Sequence, residues 1–126
     1  MPAPSRPFFL NLVQIRLPVG GWVSILHRVS GAGMSLVTPL ILLGFMLSLE
    51  SPEGFERVTG FLGGGLGLLL LLGGVWGLLH HLFAGLRHLG VDLGWGEEKL
   101  AARRSAWLVL AVGLACTLLF LWGVMS

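Results

Sequence analysis

The chain has no tyrosine, one cysteine, and only eight basic and six acidic residues among 126. Charged residues make up 11% of it, about half the share found in a soluble domain. With 55% hydrophobic residues and a mean hydropathy of +0.88, a water-soluble fold this small would have nowhere to hide its apolar surface. The lone cysteine excludes an internal disulfide and any multi-cysteine metal site. Cys116 falls inside an apolar run and reads as a small packing residue. Met1 to Leu17 lacks a compact apolar stretch, being interrupted by Pro2, Pro4 and Pro7 and dotted with Arg6 and Arg16. It does not read as a cleavable signal.

What is missing is missing in blocks. No ionisable side chain lies between Gly31 and Leu49. From Val58 to Leu86 the titratable groups are His80 and His81, and from Ser105 to Ser126 only the Cys116 thiol. Each run meets or approaches the roughly 20 residues that carry a helix across about 30 Å of hydrocarbon, and Trp22 to Leu26 extend the first backwards. The composition therefore predicts an all-α membrane protein, a single membrane-anchor domain over residues 1–126 with spans near 22–49, 58–86 and 105–125. Seven basic residues (Arg6, Arg16, Arg28, Arg87, Lys99, Arg103 and Arg104) fall on one side of this layout, and only Arg57 falls on the other. The positive-inside rule then puts the N-terminus and second loop in the cytoplasm and the C-terminus across the membrane. The net charge of +2 is this asymmetry and requires no nucleic-acid partner.

Residues 1–18 read as an extended or short amphipathic cytoplasmic arm whose apolar side chains run from Phe8 to Ile15, broken from span one by Pro18, Gly20 and Gly21. Trp22 suits the headgroup boundary. Pro39 is expected to kink span one, and Ser51-Pro52-Glu53-Gly54 to turn before a helix restarts near Phe55. Span two is dense in glycine, which suits close approach of helix backbones in lipid. Asp92 to Gly96 reads as a loop, Glu97 to Arg104 as a polar helical stretch, and Trp107 and Trp122 as interface markers of span three.

Polar groups inside a membrane are expensive, so each raises a functional question. His81 lies six residues before Arg87, about 9 Å of helix below the cytoplasmic interface. Gly74, Gly77, Ala84 and Gly85 lie near its helical face, which is thus cleared of bulk. A flat macrocycle held through an imidazole needs such a face, and haem iron is often held by histidine. A histidine hydrogen-bonded to a neighbouring helix, or a proton relay, fits the same spacing. His80 points about 100° away, toward Trp76 and Leu79, and reads as a packing or hydrogen-bonding residue. Ser24, His27 and Arg28 share one face at the cytoplasmic end of span one, and span two brings Arg87 and His88 back to that interface. Paired arginines suit the two carboxylates of haem propionates; arginines that only snorkel would occupy the same positions.

Two stretches resemble a known family. Ser24-Ile-Leu-His-Arg-Val-Ser-Gly31 is similar to the S-I-x-H-R-x-[ST]-G signature of the cytochrome b subunit of succinate dehydrogenase. His81-Leu-Phe-Ala-Gly-Leu-Arg-His-Leu-Gly-Val-Asp92 resembles its second signature, H-x-x-x-G-x-R-H-x-x-x-D. Arg6-Pro7, Ile15 to Pro18 and the Ser51 to Glu56 loop look alike as well, while span three matches only in hydrophobicity. The arm from Phe8 to Leu12 lacks the S-P-H-L segment of many members.

The resemblance implies a membrane anchor of respiratory complex II in a bacterial inner membrane. It implies one b-type haem shared with a second three-span anchor in a heterodimeric helix bundle. It also implies an iron–sulfur subunit and a flavoprotein docked on the cytoplasmic face. His81 would be the axial haem ligand in this chain. Ser24 and Arg28 would line the ubiquinone pocket, His27 and Arg28 would approach the propionates, and Arg87 and His88 would join that region or meet the iron–sulfur subunit. Asp92 would be structural. A serine hydroxyl and a cationic arginine suit developing negative charge on a quinone oxygen; with no tyrosine here, any phenol at that site must come from another subunit. The dicarboxylate-oxidising site would lie in another chain. An anchor of a quinol:fumarate reductase fits the same signatures. A small proton-coupled transporter would need a membrane-embedded Asp or Glu, which the three runs lack, and a purely structural assembly protein leaves the His/Arg convergence unexplained.

Overall fold

The structure, a computed structural model, describes residues 16–126. The arm expected from Phe8 to Ile15 lies outside the described residues. Among those described, the chain forms four helices and no strand: α1 (Val19–Glu50), α2 (Pro52–Gly63), α3 (Gly65–Asp92) and α4 (Lys99–Met125). α1, α3 and α4 are long and apolar enough to cross a bilayer. At 32, 28 and 27 residues they run about 48, 42 and 40 Å. The chain is a three-span membrane protein.

α1 starts after Pro18, which is extended and whose carbonyl accepts the Gly21 N–H at 2.9 Å. The helix continues through Pro39 without interruption. Within the span its exposed hydroxyls bond back into their own helix, Ser35 to the Gly31 carbonyl at 3.1 Å and Thr38 to that of Met34 at 2.7 Å. A hydroxyl facing lipid has no better partner.

The α1–α2 connection is tighter than a four-residue turn. Ser51 alone stands outside both helices, and its Oγ accepts the Gly54 N–H at 3.0 Å as an N-cap. Pro52 occupies the first helical position and Glu53 the first turn, where a missing N–H and a negative charge are both favourable. Gly54 packs against the Leu47 carbonyl of α1, where a side chain would collide with backbone.

The second span differs from expectation. The helix expected over 58–86 breaks at Gly64, which is extended at φ −75°, ψ 160°. Three consecutive glycines, Gly63 to Gly65, carry the largest backbone entropy cost of helix formation and no side chains to offset it. A new helix begins at Gly65, and a side chain at Gly67 would strike the Phe61 carbonyl of α2. α2 is thus a separate short helix bearing Glu53, Glu56 and Arg57. α3 runs on to Asp92, so Arg87, His88 and Asp92 are helical.

α3 ends in a Schellman motif. The Trp95 N–H reaches the Gly90 carbonyl at 2.9 Å and the Gly94 N–H that of Val91 at 2.8 Å, with Gly94 at φ 85°. The polar stretch expected at Glu97 to Arg104 enters α4 at Lys99 and is continuous with the third span.

The three long helices meet over a small core: Val23 of α1, Ala84 of α3, and Ala106 and Val109 of α4, with Val19, Phe83 and Leu110 against it. Small residues carry the contact. Gly113 of α4 lies with room for only 3.9 Å between an added Cβ and the His80 backbone. Most large apolar side chains instead point outward, Leu36 at 77% and Met46 at 67% exposure among them. Water would not tolerate such a surface; lipid or another apolar helix would.

Candidate functional site

The site is assembled at the α1–α3 seam. On α1, His27, Ser30 and Gly31 stand at i, i+3 and i+4, one helical face. On α3, Gly77, His81, Gly85 and His88 repeat at intervals of four, four and three. The imidazole of His81 lies over Gly31, where an added Cβ would sit 2.8 Å from Cε1. Its Nδ1–H donates to the His27 carbonyl at 3.0 Å, and Ser30 Oγ is 3.4 Å from the same nitrogen.

The His27 ring stacks on His81 at 4.1 Å between centroids and 14° between planes. His88 meets His27 edge-on at 5.2 Å. Gly85 makes room for His27, whose Nε2 would be 3.3 Å from a Cβ there, and Gly77 faces Ser30. Two of the four small residues expected to clear the His81 face therefore accommodate α1 itself. Gly74 faces open space, and Ala84 turns into the three-helix core.

His80 occupies the opposite environment. It is fully buried, stacked on Trp76 at 5.0 Å and 15°, and neither ring nitrogen has a hydrogen-bond partner among the described residues. It is enclosed by this chain's own helices.

Arg87 ties the end of α3 to the start of α4. Its Nε donates to Ser105 Oγ at 3.0 Å and its Nη2 to the Ala102 carbonyl at 3.1 Å, with Gly20 of α1 close behind. Two of five guanidinium donors are thus committed to α4. Ser24 is half-buried and Arg28 exposed on α1; Asp92 is exposed at the end of α3, and Cys116 is half-buried on α4.

The donor set does not form an ion site. Among the described residues no three metal-binding side chains converge, because the histidines stack as rings instead of pointing nitrogens at a common centre. Among the described residues, His81 is the histidine with one ring nitrogen hydrogen-bonded and the other uncommitted, while the rings of His27 and His88 make no hydrogen bond. His81 Nε2 has no hydrogen bond among the described residues, and the sealed, unpartnered ring nitrogens are both those of His80. One fixed imidazole nitrogen fits the histidine ligation by which haem iron is often held.

A sequence profile of the succinate dehydrogenase/fumarate reductase transmembrane subunits matches residues 2–120. The chain belongs to that family. It is 32% identical over 117 residues to the succinate dehydrogenase cytochrome b556 subunit of Paracoccus denitrificans, covering 93% of this chain and 90% of that one. To the cytochrome b556 subunit of Coxiella burnetii (strain RSA 493 / Nine Mile phase I) it is 35% identical over 128 residues, covering 94% and 96%. The cytochrome b560 subunit of Reclinomonas americana is 29% identical over 124 residues. The match to this transmembrane-subunit family extends through most of α4, where the sequence had shown only hydrophobicity.

Sequence reasoning had not singled out Ser30 or Gly31, nor the Ser105 and Ala102 partners of Arg87. Ser30 and Gly31 stand inside the first signature, but only the register of α1 against α3 shows that they meet His81.

Proposed function

We propose that the chain is the membrane-anchoring cytochrome b subunit of a succinate:ubiquinone oxidoreductase. In this reading it holds one haem b jointly with a second anchor subunit. It also forms part of the site where electrons delivered through an iron–sulfur subunit reduce quinone. The observation that carries the reading is His81, with its Nδ1 proton committed to the His27 carbonyl and Nε2 free at the helix seam.

A carbonyl only accepts, so the proton must sit on Nδ1 and the lone pair on Nε2. His81 thereby presents a preformed ligand nitrogen, with no tautomer change needed on binding. The bound haem supplies a one-electron carrier beside the quinone site. His27 and His88 at the same seam, with Arg28 beside them on α1 and Arg87 on the neighbouring α3–α4 face, would supply cationic and N–H partners for its propionates. Arg87 is held there by Ser105 and Ala102 with three donors to spare.

Ser24 and Arg28, one helical turn apart at the start of α1, orient a ubiquinone carbonyl and stabilise negative charge developing on it. The flavoprotein and iron–sulfur subunits dock on the cytoplasmic face, which carries the N-terminus and the α3–α4 loop. The C-terminus is periplasmic, and the membrane is the bacterial inner membrane. The chain acts as one anchoring domain with no dicarboxylate site of its own.

Reduced-minus-oxidised spectra of the purified membrane complex test this, using the native chain and His81→Ala. The native complex is expected to show a b-type band that the variant loses. A native complex with no such band would sink the haem assignment, and an unchanged band in the variant would move the ligand elsewhere.

A further inference from the structure

Beside His27, two further α1 residues meet His81 and have no role in the reading above. Ser30 and Gly31 face it from consecutive positions, and each constrains it differently. Gly31 sets where the ring lies. A Cβ at that position would be 2.8 Å from Cε1 and 3.2 Å from Nδ1. The imidazole is rigid and its ring is already stacked with His27 at 4.1 Å, so the seam has little slack to move it away.

Ser30 acts on the proton. Its O–H donates to the His27 carbonyl at 3.0 Å, the same oxygen that accepts His81 Nδ1–H at 3.0 Å. Its Oγ is 3.4 Å from Nδ1, beyond the usual N–H···O range. The dominant effect is therefore competition: two donors share one carbonyl, and each weakens its hold on the other.

We infer that Ser30 and Gly31 form the seat of His81, Gly31 fixing the plane of the ring and Ser30 limiting how strongly its Nδ1–H is held. This rests on His81 being the haem ligand. Both are positioning residues, acting through the His81 imidazole that they contact. A strongly held Nδ1–H gives the imidazole more imidazolate character and makes it a stronger donor, which favours oxidised iron. The Ser30 hydroxyl opposes that and keeps the potential higher than the carbonyl alone would.

The test uses the assembled complex with Gly31→Ala, Ser30→Ala, Ser30→Thr and His81→Ala. Co-purification of the flavoprotein and iron–sulfur subunits with the chain reports assembly, and the readouts are a potentiometric titration of the b-type band and its response to carbon monoxide. Alanine normally strengthens a helix relative to glycine. Gly31→Ala is nevertheless expected to displace the imidazole, lowering haem content or opening the iron to carbon monoxide in an assembled complex. Ser30→Ala keeps the Cβ and is expected to retain haem with a lowered midpoint potential, which Ser30→Thr returns to the native value.

A native potential in Ser30→Ala together with a native, carbon-monoxide-inert band in Gly31→Ala would overturn the seat. If Gly31→Ala does not assemble, Ser30→Ala decides, and an unmoved potential overturns the inference. A native complex without haem, or a band that survives His81→Ala, overturns the ligand assignment and the seat with it, and is distinguishable because it appears in the controls.

Discussion

His80 and His81 are consecutive on α3 and about 100° apart around it, and that rotation gives them different partners. His81 meets a backbone carbonyl and a glycine of α1; His80 meets Trp76 and the three-helix core, with neither ring nitrogen partnered among the described residues. A buried polar atom without a partner costs its full desolvation, whereas a shape-matched apolar ring does not. His80→Phe is therefore expected to keep its haem band, with thermal stability equal to or above native. Loss of the band in that variant would mean that His80 is the ligand. The quinone site is probed separately. Ser24→Ala and Arg28→Leu are expected to lower quinone reduction at least about tenfold, the effect of losing roughly 1.4 kcal/mol of charge stabilisation, while succinate oxidation with an artificial acceptor survives. Native quinone kinetics in both would count against the placement.

At the scale of elements, the contacts that join helices are few and polar at the ends, small and apolar in the middle. Arg87 fastens the end of α3 to the start of α4 through Ser105 and Ala102. Hydrogen bonds to a charged donor contribute on the order of 1.5–3 kcal/mol, so Arg87→Ala should lower the unfolding temperature of the purified complex measurably. Arg87→Lys, a point charge without the planar fork, should fall between the two. An unfolding temperature equal to native in Arg87→Ala would show that the clasp contributes nothing. The Gly64 break belongs to this scale too. The charge-free run beginning at Val58 looked like one long span because hydropathy does not register a backbone that turns extended. The Ser51 N-cap and the glycine triplet were present in the sequence, but whether three glycines pack a helix or end it depends on the approach of α2 to Gly67.

For the whole molecule, the outward-facing Leu, Phe and Met side chains of three long helices make the bilayer and neighbouring helices the solvent. The distribution of arginines sets the orientation we propose. Single-cysteine labelling in a Cys116→Ala background checks it. Ser126→Cys is expected to react with a membrane-impermeant maleimide added to intact spheroplasts, and Glu98→Cys only after lysis. The reverse pattern would invert the topology.

Sequence alone determined that this chain is a three-span helical membrane protein. Charge-free runs of that length have no other stable solvent, and every backbone polar group in lipid must be satisfied within a helix. It also determined, through two signatures, the family to which the chain belongs. Tertiary structure decided what the signature residues touch. Periodicity places His27, Ser30 and Gly31 on one face and His81 and Gly85 on another, but the register of two antiparallel helices is set by which small residues let the backbones close. That register put His81 over Gly31, aimed its Nδ1 proton at the His27 carbonyl, turned His80 into the core and committed Arg87 to α4.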